Sequence, residues 1–350
     1  DPSVLSIKIT IYRLASKANL IEYLAAAAEN GKDVTVLMEL RARFDEQNNI
    51  QWAERLEEAG CTVIYGFEDF KVHSKICLIT RRERGHIQQI TQVGTGNYNE
   101  KTARLYTDLS LMTANPAIGA DAAAFFQNVS TANLDGEYRL LLVAPHGLKS
   151  RLVSLIDGEI SRAKAGQSAR IFVKCNSVTD RELIDKLSEA SQAGVDVIMN
   201  VRGICCLRPG VPGKTDRIKV FSIVGRYLEH PRIFVFGTGS EAKVYIGSAD
   251  LMTRNTEHRV EIACPILDRA IREQIRHYVE VLCSDNIKAR IMGSDGHYFH
   301  VPDHGEPPVD AQAVFMSEAT AKEPPEGPAT PVPTVRKGLF SALAQRLWRR

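Results

Sequence analysis

Nine histidines occur in this 350-residue chain, and two of them sit in matching settings. His73-Ser74-Lys75 leads into Ile76-Cys77-Leu78-Ile79, and His230-Pro231-Arg232 leads into Ile233-Phe234-Val235-Phe236. Such apolar runs predict strands, in which residues i and i+2 share a face, so each imidazole is expected to project beside a cation. A hairpin then returns to a small-residue segment, Gly94-Thr95-Gly96-Asn97 or Gly247-Ser248-Ala249-Asp250. From Asn97 to Asp108, and from Asp250 to Glu261, it is eleven positions to a carboxylate. A neutral imidazole with a free ring nitrogen can attack phosphorus and hold the phosphoryl group covalently. A carboxylate or carbonyl accepting from the other nitrogen fixes the tautomer, and Asp108 and Glu261 are both candidates for that task at either histidine. Two histidines permit one to be the nucleophile and the other the general acid or electrostatic stabiliser. Phosphoryl transfer is mostly positioning and charge stabilisation, which makes Lys75, Lys101 and Arg104 candidates for an anion channel.

Positioning such groups needs a scaffold, and β-branched runs alternate here with helical stretches. Strands are expected at 4–12, 34–40, 62–66, 171–174 and 197–201, and helices at 19–30, 50–59, 148–164 and 181–193. That alternation predicts an α/β fold. The two series are related, because Leu20 to Val34 and Leu183 to Val197 align without a gap and agree at seven of fifteen positions. Shared Gly31/Gly194 predict helix C-caps, and the histidine motifs follow in the same order in both halves, so the chain reads as an internal repeat. Two domains are expected, 1–136 and 137–300, each a mixed sheet flanked by helices, with one site between them.

Composition sets the outer limits. With 44 basic and 42 acidic residues the formal charge is +2, which excludes a supercharged nucleic-acid coat and an acidic solubiliser, and no specific nucleic-acid partner is expected. Seven cysteines, odd in number and without a C-x-x-C pair, fit a reduced cytoplasm. The start, Asp1-Pro2-Ser3, has neither an initiator Met nor a signal peptide, so the chain is expected to begin inside a longer one. Eight of the fifteen prolines fall between Pro302 and Pro333, and 301–335 reads as a disordered linker. Leu339, Leu343 and Leu347 then outline a short basic amphipathic helix over 336–350, suited at most to weak contact with an anionic membrane or a partner. Gly94-Thr95-Gly96 lacks the spacing of a phosphate loop and reads as a tight turn presenting Asn97. Arg81-Arg82-Glu83-Arg84 reads as a solvated hairpin.

Over residues 1 to 295 the sequence resembles the phospholipase D superfamily and, within it, polyphosphate kinases of the long, histidine-phosphorylating type. The residues that carry the resemblance are Ile11-Tyr12-Arg13-Leu14, Glu39 to Asp45, Val72 to Lys75, Gly94 to Asp108, Val201-Arg202-Gly203, Arg226-Tyr227-Leu228-Glu229-His230 and Ser248 to Asn255. It implies two tandem phospholipase D-like domains and reversible transfer of the terminal phosphate of ATP to inorganic polyphosphate. His73 is then the phosphorylated residue; Tyr106, Arg202 and His230 contact the nucleotide; and Arg13 and Arg43 line the phosphate–Mg²⁺ region. A guanidinium has no lone pair, so those arginines would meet the phosphates that carry the metal. Arg232 departs from the lysine usual in the superfamily but keeps the charge and adds a phosphate-binding fork. The resemblance also implies a homo-oligomer in the full-length enzyme, and an N-terminal region that completes the nucleotide base pocket. The chain by itself is therefore expected to bind polyphosphate in a salt-sensitive way and ATP poorly. Two rivals stay open at this point: a phosphodiesterase or nuclease using the same histidines, and a non-catalytic polyanion-binding fragment.

Overall fold

The computed structural model describes residues 1–14, 18–40, 46–302 and 305–322. Arg43, the stretch 323–335 and the expected basic helix over 336–350 lie outside the described residues.

Two mixed sheets carry the architecture, and their strand orders correspond one to one. In the first, the order is Thr62–Tyr65, Asp33–Met38, Val4–Ile11, Ile76–Glu83, His86–Gly94 and Ser110–Thr113. In the second, Ile218–Ile223, Asp196–Val201, Arg170–Cys175, Arg232–Phe236, Lys243–Gly247 and Ile262–Pro265 repeat it, with Ala289–Met292 and Tyr298–His300 added at one edge and Leu142–Val143 at the other. The directions repeat as well: three parallel strands, then antiparallel returns. Parallel neighbours need crossovers, and the helices Asn19–Glu29, Glu46–Glu58 and Arg181–Gln192 supply them. Helix Asn19–Glu29 buries Ile21, Leu24 and Ala25, and its repeat mate buries Leu183, Leu187 and Ala190. Both end where the sequence places glycine, with Gly31 at φ +80° and Gly194 at φ +100°, a left-handed turn that an L side chain resists.

One apolar cluster joins the halves. Helix Pro116–Ser130, capped by Asn115 on the N–H groups of Ala117 and Ile118, contributes Phe125 and Phe126 to a cluster that holds Val72, Ile76 and Val93 of the first half and Ile233, Ile246 and Ile262 of the second. Each phenylalanine is at most 1% exposed and contributes about 1.5 to 3 kcal/mol of burial to the join.

The proline-rich segment is not uniformly a linker. Residues Ala311–Lys322 form a helix, because the prolines stop at Pro308 and resume at Pro324, leaving a proline-free run with apolar side chains to bury. Ala311 is fully buried, and Phe315 stacks on Tyr278 with centroids 4.6 Å apart at 16°. The basic cluster of residues 81–84 lies at the hairpin end of strand Ile76–Glu83, the end away from His73. No helix of the described residues is long and apolar enough to cross a membrane.

Candidate active site

His73 and His230 do not open their strands as the apolar runs suggest; each sits just before one, preceded by a two-residue ladder. These ladders cross between halves. Lys71–Val72 pairs in parallel with Arg259–Val260, and Leu228–Glu229 with Tyr106–Thr107. The pairs Val72↔Val260 and Glu229↔Thr107 bring the next residue on each side together. His73 Nδ1 lies 2.9 Å from both carboxylate oxygens of Glu261, and His230 Nδ1 lies 2.9 and 3.0 Å from those of Asp108. Each histidine is thus oriented by the carboxylate of the opposite half. With Nδ1–H donating to the carboxylate, the lone pair is left on Nε2.

The carboxylates are held in turn by equivalent hydroxyls. Thr95 Oγ1 donates to Asp108 Oδ1 at 2.6 Å and accepts from Leu109 N at 2.9 Å. Ser248 Oγ bonds Glu261 and accepts from Ile262 N at 3.1 Å. Asn255 Nδ2 adds a 2.5 Å bond to Glu261 Oε1. Sequence reasoning passed over Thr95 and Ser248, although a thirteen-residue spacing to the carboxylate recurs in both halves and would have found them. The expected glycine turn has a different reason. Neither Gly94 nor Gly96 has a positive φ; a Cβ at Gly96 would overlap the Asp108 carboxylate, so glycine is required for close approach.

The cations differ between halves. Arg232, fully buried, forks onto Asp250, with Nε–Oδ1 at 3.2 Å and Nη2–Oδ2 at 3.1 Å, and its Nη1 donates to His230 O at 2.9 Å. Nη1 also lies 3.1 Å from His230 Nε2 and 3.4 Å from Nδ1, resting against the ring. Asp250 further accepts from Asn176 N at 2.7 Å, and Asn176 Oδ1 receives Arg202 Nε at 2.6 Å, linking Arg202 to the centre. In the first half Asn97 stands where the second has Asp250. Its Oδ1 is buried with no hydrogen-bond partner among the described residues. Lys75 is buried and, among the described residues, makes no ion pair with a carboxylate; its Nζ donates to His73 O and sits 5.3 Å from the Tyr12 ring centroid. Tyr12 meets His73 edge-on at 4.8 Å and 84°, and Tyr106 leans on His230 at 5.1 Å and 46°. Arg13 lies beside the same Tyr12 ring, 5.5 Å from its centroid. Lys101 and Arg104 are exposed around the short turn Thr102–Arg104, and among the described residues neither bonds to either histidine pair.

Burial first, then the charges of Lys75, Arg259 and Arg232, hold His73 well below the ordinary imidazole range. Burial also lowers His230, against the opposing hydrogen bond to Asp108. Both rings are therefore neutral at neutral pH. Burial raises Glu261, with Lys75 opposing, and burial lowers Lys75 well below its usual value. Burial would raise Asp250, but the Arg232 fork and the Asn176 N–H keep it below the usual carboxylate range. Arg259 had no signal in the repeat, since its first-half counterpart two positions before the carboxylate is Tyr106.

Magnesium bound directly by protein does not fit this donor set. Asp108, Glu261 and Asp250 are each committed to a histidine or arginine within a cationic surround, and among the described residues no cluster of three or more His, Cys, Asp or Glu could hold a metal.

Two units with one strand order, joined so that each supplies a histidine to the other's carboxylate, define a phospholipase D-like fold. The structure of phosphatidylserine synthase from Haemophilus influenzae shares it, with a TM-score of 0.57 over 91% of this chain and 89% of that one at 12% identity. Residues 1–134 match the family model for polyphosphate kinase C-terminal domain 1, and residues 141–312 match that for polyphosphate kinase C-terminal domain 2. The chain belongs to the polyphosphate kinase family. It is 48% identical over 319 residues to polyphosphate kinase of Bacillus cereus, covering 91% of this chain and 45% of that protein. The crystal structure of polyphosphate kinase from Porphyromonas gingivalis superposes with a TM-score of 0.84 at 38% identity, over 92% of this chain and 49% of that one. The chain spans about half the length of the curated relatives it matches.

Proposed function

We propose that the chain carries the phosphoryl-transfer centre of a polyphosphate kinase, moving the terminal phosphate of ATP reversibly to inorganic polyphosphate through phosphorylated His73. The observation that carries this reading is the asymmetry of the two histidines. His73 Nδ1 is engaged by Glu261, and its Nε2 makes no hydrogen bond among the described residues, whereas the His230 ring carries the Arg232 cation against its face, Nη1 3.1 Å from Nε2 and 3.4 Å from Nδ1, which opposes the positive charge a ring gains on phosphorylation. In the first half-reaction the Nε2 lone pair forms the N–P bond as the bond from the γ-phosphorus to the ADP oxygen breaks. The charge that develops on the ring is met at Nδ1 by Glu261, whose raised pKa suits it to share that proton. A terminal oxygen of polyphosphate then forms the new P–O bond as N–P breaks, and the ring returns to neutral. From the second half Arg232 stabilises the same phosphoryl group, with Lys75 as a further charge, and His230 serves as acid once its Nε2 has taken up a proton.

Magnesium enters with ATP as part of the substrate, and Arg13 and Arg43 act on the phosphates that carry it. Tyr106 and Arg202 take the nucleotide side. Homo-oligomer formation belongs to the longer protein, and a cytoplasmic setting accords with seven free thiols.

Incubation with γ-labelled ATP and polyphosphate, alongside a phosphodiester substrate, tests the reading. Label entering the polymer with release of ADP is expected, with the diester left intact. Diester cleavage without polymer labelling would replace the kinase by a phosphodiesterase, and polyanion binding with neither reaction would leave a binding module. The same assay sizes Arg202. Losing one charge-assisted phosphate contact costs about 1.5 to 3 kcal/mol, so Arg202→Ala should cut turnover more than tenfold. Its side chain makes one hydrogen bond among the described residues, to Asn176, and is partly exposed, which predicts an almost unchanged melting temperature. A fall in activity that only tracks lost folded protein would make Arg202 structural.

A further inference from the structure

The segment that delivers His230 is gripped from behind by the helix Ala311–Lys322. Gln312, 3% exposed, brackets the Tyr227 peptide: its Oε1 accepts from Tyr227 N at 3.0 Å and its Nε2 donates to Tyr227 O at 2.9 Å. The same Nε2 donates to Glu229 Oε1 at 2.7 Å. Glu229 is buried against Lys174, Nζ–Oε2 2.9 Å, and accepts from Thr107 Oγ1 at 3.2 Å and Tyr278 Oη at 3.4 Å, so with Gln312 the residue before His230 is fixed by four side chains. The helix has its own anchors, Ala311 N donating to Asp285 Oδ2 at 2.8 Å and Phe315 stacked on Tyr278.

The segment before His73 is held differently: Val72 N donates to Oε2 of the buried Glu39 carboxylate at 2.8 Å, and among the described residues no side chain of the helix Ala311–Lys322 bonds to it. Val72 stands where the second half has Glu229, and the strand register puts Thr10 where it has Lys174, with the Thr10 hydroxyl donating to Ser74 O at 2.8 Å. The two histidine segments are thus supported by different partners, with Gln312 acting on that of His230 alone.

We propose that Gln312 is a positioning residue for His230 and not for His73, acting through Tyr227 and Glu229 to seat the imidazole against Asp108. Its effect on turnover rests on the phosphoryl-transfer reading above; its effect on the ring does not. Two variants act on the amide independently. Gln312→Met keeps length and removes the hydrogen bonds. Gly225→Ala leaves Gln312 in the sequence but puts a Cβ 2.5 Å from its Oε1, and since that atom ends a flexible side chain and Gly225 has no positive φ, the amide is displaced while the backbone stays.

The readout is the imidazole Nδ1–H signal of each histidine in ¹⁵N-histidine-labelled protein, with His73 as internal control. In both variants the His230 signal should shift or broaden while that of His73 holds, and turnover should fall about ten- to a hundredfold, as small misplacements at a reacting centre do. An unchanged His230 signal in a folded variant overturns the proposal, and so do equal changes at both histidines, which would mean general loosening. If Gln312→Met does not fold, Gly225→Ala decides alone. A selective His230 change with full turnover upholds the positioning and removes His230 from the reaction.

Discussion

His73→Ala protein incubated with γ-labelled ATP should carry no acid-labile, base-stable phosphate, whereas the parent protein should carry it and surrender it to added polyphosphate. The N–P bond to imidazole gives that stability pattern, which distinguishes it from phosphate esters of serine or threonine. The effect is expected to be complete because no neighbouring group replaces the ring: Lys75 is held on the His73 carbonyl, and His230 Nε2 lies beside Arg232. His73 is nearly buried, so part of any loss could be folding; a parallel melting curve separates the two. Labelling at the parent level in a folded His73→Ala protein would move the nucleophile elsewhere.

Glu261→Gln should be almost as severe, for a reason set in the other half of the chain. The carboxylate only accepts, and it accepts from His73 Nδ1, Asn255 Nδ2 and Ser248 Oγ. A glutamine must turn its NH₂ toward one of them. Turned to His73, it donates to Nδ1 and forces the ring proton to Nε2, which removes the lone pair that attacks phosphorus. A wrong tautomer at a catalytic histidine costs about ten-thousandfold in turnover where the geometry is otherwise kept. Phosphoenzyme formation should therefore fall by about a thousandfold or more with a modest change in melting temperature, since the substitution keeps the volume and removes a costly buried charge. A loss below about tenfold would show that Glu261 does not set the tautomer.

The parts of the fold legible in sequence were those with a repeat to compare. The fifteen-residue match ending at Val34 and Val197 located a helix, a glycine cap and the following strand in both halves, and the equal spacing from Asn97 and Asp250 located both carboxylates. Which carboxylate serves which histidine was not legible, because the answer depends on two-residue ladders between halves, too short to leave a period. Arg259 and the Lys174–Glu229 pair escaped notice because the first half has Tyr106, Thr10 and Val72 in their places. Composition misled over 311–322, where prolines on both sides hid a helix. Arg43, legible by resemblance, lies outside the described residues.

The crossed ladders also fix how damage in this molecule propagates. A lesion at Asp108 is written in the first half of the chain and felt at a histidine of the second; one at Glu261 travels the other way. Neither half owns a finished histidine–carboxylate pair, so both pairs depend on the one seam between the halves.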